Sequence, residues 1–176
     1  MNLIDQLDKR GLVELLGKCW MTHDGMWFFN TFSQFGIESA NKVNKLAIQS
    51  LAPIEVKRFK KAMGLSKKAI ESFEELKSFF SNVADLLIPD FMNVKWTFPD
   101  QNILHWEFSE KGCFAYNGVK MLGVIDEYEC GPLFRIGCWL KEIGVNYRMN
   151  PEIDRCIFPS RRKCAGYFEI SLGMQM

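Results

Sequence analysis

At Pro89 the hydrophobic pattern of this chain changes period, and that switch limits the fold more than any other feature. Before it, apolar residues recur every three or four positions, the spacing of one face of an α-helix. Leu12, Leu15, Leu16, Cys19, Trp20, His23, Met26 and Trp27 form the first such series, which Gly36 closes. A second helix is predicted from about Glu38 to Met63, with Val43, Leu46, Ala47 and Leu51 on one face. Pro53 predicts a kink or short break in it, and Gly64 its end. Ser66 is the predicted N-cap of a third helix through Leu87, with Ile70, Phe73, Leu76, Phe80 and Val83 inward, and Pro89 stops it.

Beyond Pro89 the period is two. Val94, Trp96 and Phe98 alternate with Lys95 and Thr97, then Leu104, Trp106 and Phe108 with His105 and Glu107. Pro99-Asp100-Gln101-Asn102 between them has turn chemistry, so the two runs read as an antiparallel hairpin. A second strand pair is predicted at Val145 to Met149 and Gly166 to Leu172. Helices fill the interval, a short one over Tyr116 to Gly123 and a firmer one over Pro132 to Ile143, ended at Gly144. The fold class that follows is α+β: N-terminal helices packed on a C-terminal four-stranded antiparallel sheet with inserted helices. No repeat or linker divides the chain, so 1–176 reads as a single domain, with a helical part over 1–88 and a strand-rich, cysteine-containing part over 89–176.

A hydrophobic fraction of 48%, with 15 Phe and 5 Trp, predicts a bulky aromatic core. The net charge of +1 gives no general attraction to nucleic acid or to an anionic membrane, and neither is expected as a partner. No apolar run is long enough to span a bilayer, and the first sixteen residues carry acids where a signal peptide would be apolar. The expected location is cytoplasmic, where thiols stay reduced.

Chemistry concentrates in the cysteines. Five of the six lie in the second half, at Cys113, Cys130, Cys138, Cys156 and Cys164, without a C-x-x-C pair. Four thiolates, Cys113, Cys130, Cys156 and Cys164, would make a tetrahedral site for a divalent metal, zinc first, or hold an iron–sulfur cluster. The competing reading is four small buried hydrophobes. Cys138, within Ile136-Gly137-Cys138-Trp139-Leu140, reads as a core position of a helix.

Two further constellations stand out. Cys19 and His23 share a helix face, with Asp24 next to His23 and Gly25 beyond. Glycine inside a helix costs about 1 kcal/mol relative to alanine, which suggests a close approach to the backbone there. His23 and Asp24 are candidate acid–base residues, expected in a partly closed pocket walled by Trp20 or Trp27. On the sheet, alternation puts His105, Glu107, Tyr167 and Glu169 on one face with Arg148. Such a set suits proton transfer or ligand contact, but a solvated face is the usual outcome for a one-sided sheet. No phosphate-binding glycine loop, G-x-S-x-G or H-E-x-x-H is present, which argues against the common nucleotide, hydrolase and metalloprotease classes.

Several segments carry a resemblance: Trp20 to Phe28, Phe35-Gly36-Ile37-Glu38, Asn41 to Asn44, Lys111 to Tyr116, Tyr128-Glu129-Cys130-Gly131, and the late Cys156 and Cys164. Together they resemble an uncharacterised family of small cytosolic bacterial and archaeal proteins. That family is distantly similar to L-2-amino-thiazoline-4-carboxylic acid hydrolase-like proteins and, more weakly, to the 4-vinyl reductase small-molecule-binding domain. The resemblance implies an α+β fold and a shared set at Cys113, Cys130, Cys156 and Cys164, and it implies no established activity.

The functional expectation is a small-ligand or metal-binding protein. If it is an enzyme, it is a hydrolase in which a thiolate-bound metal delivers water to a small amide-like or heterocyclic substrate, with His23 or His105 as acid–base partner. Trp20, Trp27 and Glu107 would then contact the small-molecule ligand. The alternative is a non-catalytic sensing module with buried cysteines and an aromatic pocket of Trp20, Trp27, Phe28, Trp96 and Trp106.

Overall fold

The computed structural model describes residues 2–65 and 69–172. Six α-helices and four strands occur among them, in the order α1 (Leu3–Gln6), α2 (Lys9–Ala62), α3 (Phe73–Leu87), β1 (Val94–Thr97), β2 (Ile103–Phe108), α4 (Phe114–Met121), α5 (Gly131–Glu142), β3 (Val145–Asn150), α6 (Phe158–Arg161) and β4 (Ala165–Leu172). The class is α+β, with the N-terminal helices preceding an antiparallel sheet of strand order β1-β2-β4-β3.

α2 is two helical arms joined at Gly36, whose φ of 81° lies in the left-handed region open to glycine. The arms fold back on each other. Trp20 on the first arm and Glu55 on the second both reach Arg135 of α5, whereas the roughly 35 residues between them would span about 52 Å as straight helix. The break predicted at Pro53 does not occur, and the helix runs through it. Pro53 and Gln49 are both exposed, so the carbonyl that loses its N–H partner is open to water.

The third helix also begins later than its periodicity suggests. Ser66 lies outside the described residues, and Ser72 is the N-cap, its side chain accepting the Glu75 N–H at 3.2 Å. Glu75 reaches back past the cap to accept the Glu71 N–H at 2.9 Å, a bond one residue removed from that of a standard capping box. Ile70 is buried, as predicted, but ahead of the helix.

Register is set by the apolar alternation. Trp96 pairs with Trp106 across β1 and β2, Leu104 with Phe168 across β2 and β4, and Met149 with Phe168 across β3 and β4. This face is the core: Leu104, Trp106, Phe168, Ile170 and Val145 are almost fully buried. Phe80 of α3 meets Trp96 edge-on at 5.0 Å, and Phe59 of α2 meets Trp139 of α5 at 5.8 Å, so helices and sheet share one apolar cluster. Arg135 pairs with Glu55 through two nitrogens, and the Trp139 indole donates to the same carboxylate at 2.7 Å. Arg135 also stacks between Trp20 and Trp139, at 4.6 and 5.4 Å. Among the described residues, no helix is long and apolar enough to cross a membrane.

Candidate functional site

Backbone bonds bring the cysteine-bearing loops together. Glu129 and Arg155 form an isolated antiparallel bridge, flanked by Cys130 N–H donating to the Asp154 carbonyl at 2.8 Å and Cys156 N–H to the Tyr128 carbonyl at 3.1 Å. Lys45 of α2 fastens both loops by pairing with Glu129 and with Asp154. Cys164 stands one residue before β4, and its carbonyl accepts the Phe108 N–H at 2.9 Å. Cys113 is the N-cap of α4, its sulfur accepting the Tyr116 N–H at 3.3 Å.

These four thiols feel one another. Burial pushes the Cys113 thiol up to about 11, with Cys156 adding to it. Burial pushes Cys164 up to about 12, helped by Cys113 and Cys156. Cys130 is driven higher still by burial, then by Cys113, Cys164 and Cys156. Cys156 is also raised by burial, with Asp126 adding to it. As they stand, the thiols are protonated at neutral pH. Among the described residues, no three His, Cys, Asp or Glu are arranged to hold a metal ion.

Donors surround the cluster. Besides Tyr116 at Cys113, the Leu133 N–H favours the thiolate of Cys130 and the Phe158 N–H that of Cys156. The Trp106 indole N–H is buried and falls short of hydrogen-bond geometry with any acceptor, yet lies close enough to Cys164 to favour its ionised form. An orphaned buried donor is costly, and a thiolate at Cys164 would relieve it. Gly166 makes room for this ring. It pairs with Trp106 in register, and a Cβ there would stand 2.7 Å from the indole and 2.4 Å from the Asn150 carbonyl oxygen. Sequence reading did not single out Trp106 as a neighbour of the cysteines, because only strand register places it there.

Tyr128 closes one side. It is buried, its hydroxyl accepts the Gly131 N–H at 3.1 Å, and Phe28 packs edge-on against it at 5.5 Å. Cys138 stands apart, its neighbours being Lys141 and Glu142, and Cys19 is exposed.

The other candidates lie elsewhere. His23 does not enter a closed pocket: it is exposed on the outward face of α2, accepting the Trp27 indole N–H at 3.2 Å. Trp27 is exposed with it, because this side of the arm has no covering element. Asp24 turns partly inward, and burial raises its pKa against the pull of Arg135 and His23. Gly25 meets nothing within 4 Å, so no close approach explains it. His105 bonds Thr97 across the strands at 3.3 Å, and Glu107 pairs with Lys163 at 2.8 Å. The register does align His105 with Tyr167 and Glu169 with Arg148, on the face opposite the core. Among the described residues, no hydrogen bond, ion pair or ring contact joins His23 or His105 to the four cysteines. Trp20, Trp27, Phe28, Trp96 and Trp106 do not line one pocket: Trp20 stacks on Arg135, Phe28 on Tyr128, and Trp96 and Trp106 lie in the sheet core.

The class defined so far is an α+β protein with a thiol cluster at one end of its sheet. Residues 5–84 match the model of a family of unknown function (DUF6125), a likeness that covers α2 and most of α3 and stops before the four clustered cysteines. No curated protein and no solved structure matches the chain.

Proposed function

We propose that this is a metal-binding protein whose ion, zinc in the first instance, is held by thiolates of Cys113, Cys130, Cys156 and Cys164. The observation that carries the reading is four buried or half-buried thiols on loops that meet, with N–H donors at their sulfurs and the buried Trp106 donor left unmatched beside Cys164. A buried donor without an acceptor suits sulfur that carries negative charge. Binding would draw the side chains inward and release their protons, so affinity should rise with pH. An iron–sulfur cluster is the other occupant the same donor set accepts. A reduced, cytoplasmic setting belongs to the proposal, because free thiols persist there.

Hydrolysis of a small amide-like or heterocyclic substrate is the narrower version, and it rests on the sequence resemblance alone. It requires an open coordination position and an acid–base partner. Neither histidine is among the groups that perturb the thiols, so the closed, structural site is the reading we favour.

The test is titration of reduced protein with cobalt(II), followed by zinc competition. We expect one ion per chain, a thiolate-to-cobalt absorption band, proton release, and loss of the band in Cys130→Ala. Four freely reactive thiols and no uptake would remove the proposal and leave inert buried cysteines.

A further inference from the structure

The first arm of α2 is apolar on both sides, and only one side is covered. Its inner side packs on the protein through Gly17 against Pro89, Trp20 on Arg135 and Phe28 on Tyr128. The outer side holds Leu12, Leu15, Leu16, Cys19, His23, Met26, Trp27 and Asn30 within an arc of roughly 120° at 3.6 residues per turn. No Lys, Arg, Asp or Glu falls in that arc between Leu12 and Asn30. Leu16 is 67% exposed, Trp27 65%, Met26 53% and Leu15 43%. A helix that is apolar all round is normally buried all round.

We infer that this face is the contact surface between two copies of the chain. The stripe offers on the order of 600 Å² of accessible surface, approaching the ~800 Å² a side of a standard interface and at the upper end of the patches monomers expose. Leu12, Leu16, Cys19, His23, Met26 and Asn30 alternate steps of four and three, the spacing of a helix-pairing seam. A seam without charge is complementary to itself, as a two-fold contact requires. A membrane surface fits less well, because an interfacial helix is lined by several Lys or Arg beside its apolar face, and here that flank holds Thr22, Gly25 and Phe29 with a single Lys18, which pairs with Glu14 of the same helix at 3.6 Å. His23 and Asn30 then act as the polar seam positions that fix register.

Two experiments on the full chain test the contact. Sedimentation equilibrium should give a dimer, and Leu16→Glu with Trp27→Glu should raise its Kd by roughly 100-fold while leaving far-UV circular dichroism unchanged. Independently, a bis-maleimide should link two chains through the exposed Cys19, and Cys19→Ser should abolish the link. A monomer at all concentrations, or a dimer indifferent to both glutamates and not linked through Cys19, would overturn the inference. A monomer that sediments with anionic vesicles would assign the stripe to a membrane surface instead.

Discussion

Glu55 grips Arg135 in a two-point ion pair inside the fold, linking the second arm of α2 to α5. Both side chains are largely buried, and Trp139 adds a third bond to the carboxylate. Removing one partner leaves the other charged and unpaired, a loss of typically 3–5 kcal/mol. Glu55→Ala should therefore lower urea-unfolding stability by about that much. Replacing both residues by Met should cost clearly less than the two single changes added together, as a double-mutant cycle would measure.

The thiols give the metal-free protein an alkaline weakness. An unfolded thiol titrates near 9.0, whereas folded Cys113 and Cys164 keep their protons to about 11 and about 12. Between those values the unfolded chain binds fewer protons than the native one, so stability falls as pH rises. It should be fully present below pH 9 and decline above it, by on the order of 2 kcal/mol for Cys113 alone. Melting curves from pH 8 to 11 check this, and a zinc-loaded sample, already thiolate, should show a flatter profile.

Gly166→Ala should be among the worst small substitutions. Its Cβ would meet the Asn150 carbonyl oxygen, Pro151 and Trp106, all well inside contact distance. Overpacking of this kind costs roughly 1–3 kcal/mol. The same change should disturb the Trp106–Cys164 contact, so a shift in Trp fluorescence is expected alongside the lower midpoint.

Ser72→Ala removes the cap of α3 and should cost about 1 kcal/mol, read from denaturant midpoints. Ser72→Asp should retain most of the stability.

How much of this was legible in the chain follows from which forces are local. The switch at Pro89 gave the class, and the alternation through Trp96 and Trp106 gave the first hairpin and its inward face, because period two leaves only one face apolar, while the pairing of Trp96 with Trp106 came from the structure. The start of α3 was missed because Ile70 continues the apolar spacing, while the cap at Ser72 decides where the helix begins. Pro53 does not end its helix because the carbonyl it frees, that of Gln49, belongs to an exposed residue that water can reach. For the site, spacing could nominate four cysteines but not their surroundings. Trp106 beside Cys164 depends on β2 pairing with β4 across more than fifty residues of chain. His23 misled for the opposite reason: its helix is apolar on both faces, so periodicity cannot say which one is inside.

The turn at Gly36 has a bearing on how the chain is made. Trp20 and Phe28 emerge from the ribosome early, yet the residues they rest on, Arg135 and Tyr128, follow about a hundred residues later, a wait of some 5–20 seconds at usual elongation rates. For that interval neither side of the first arm has its final neighbour, and the apolar residues of both sides face water. An apolar arm left open for that long is the kind of surface on which chaperones act.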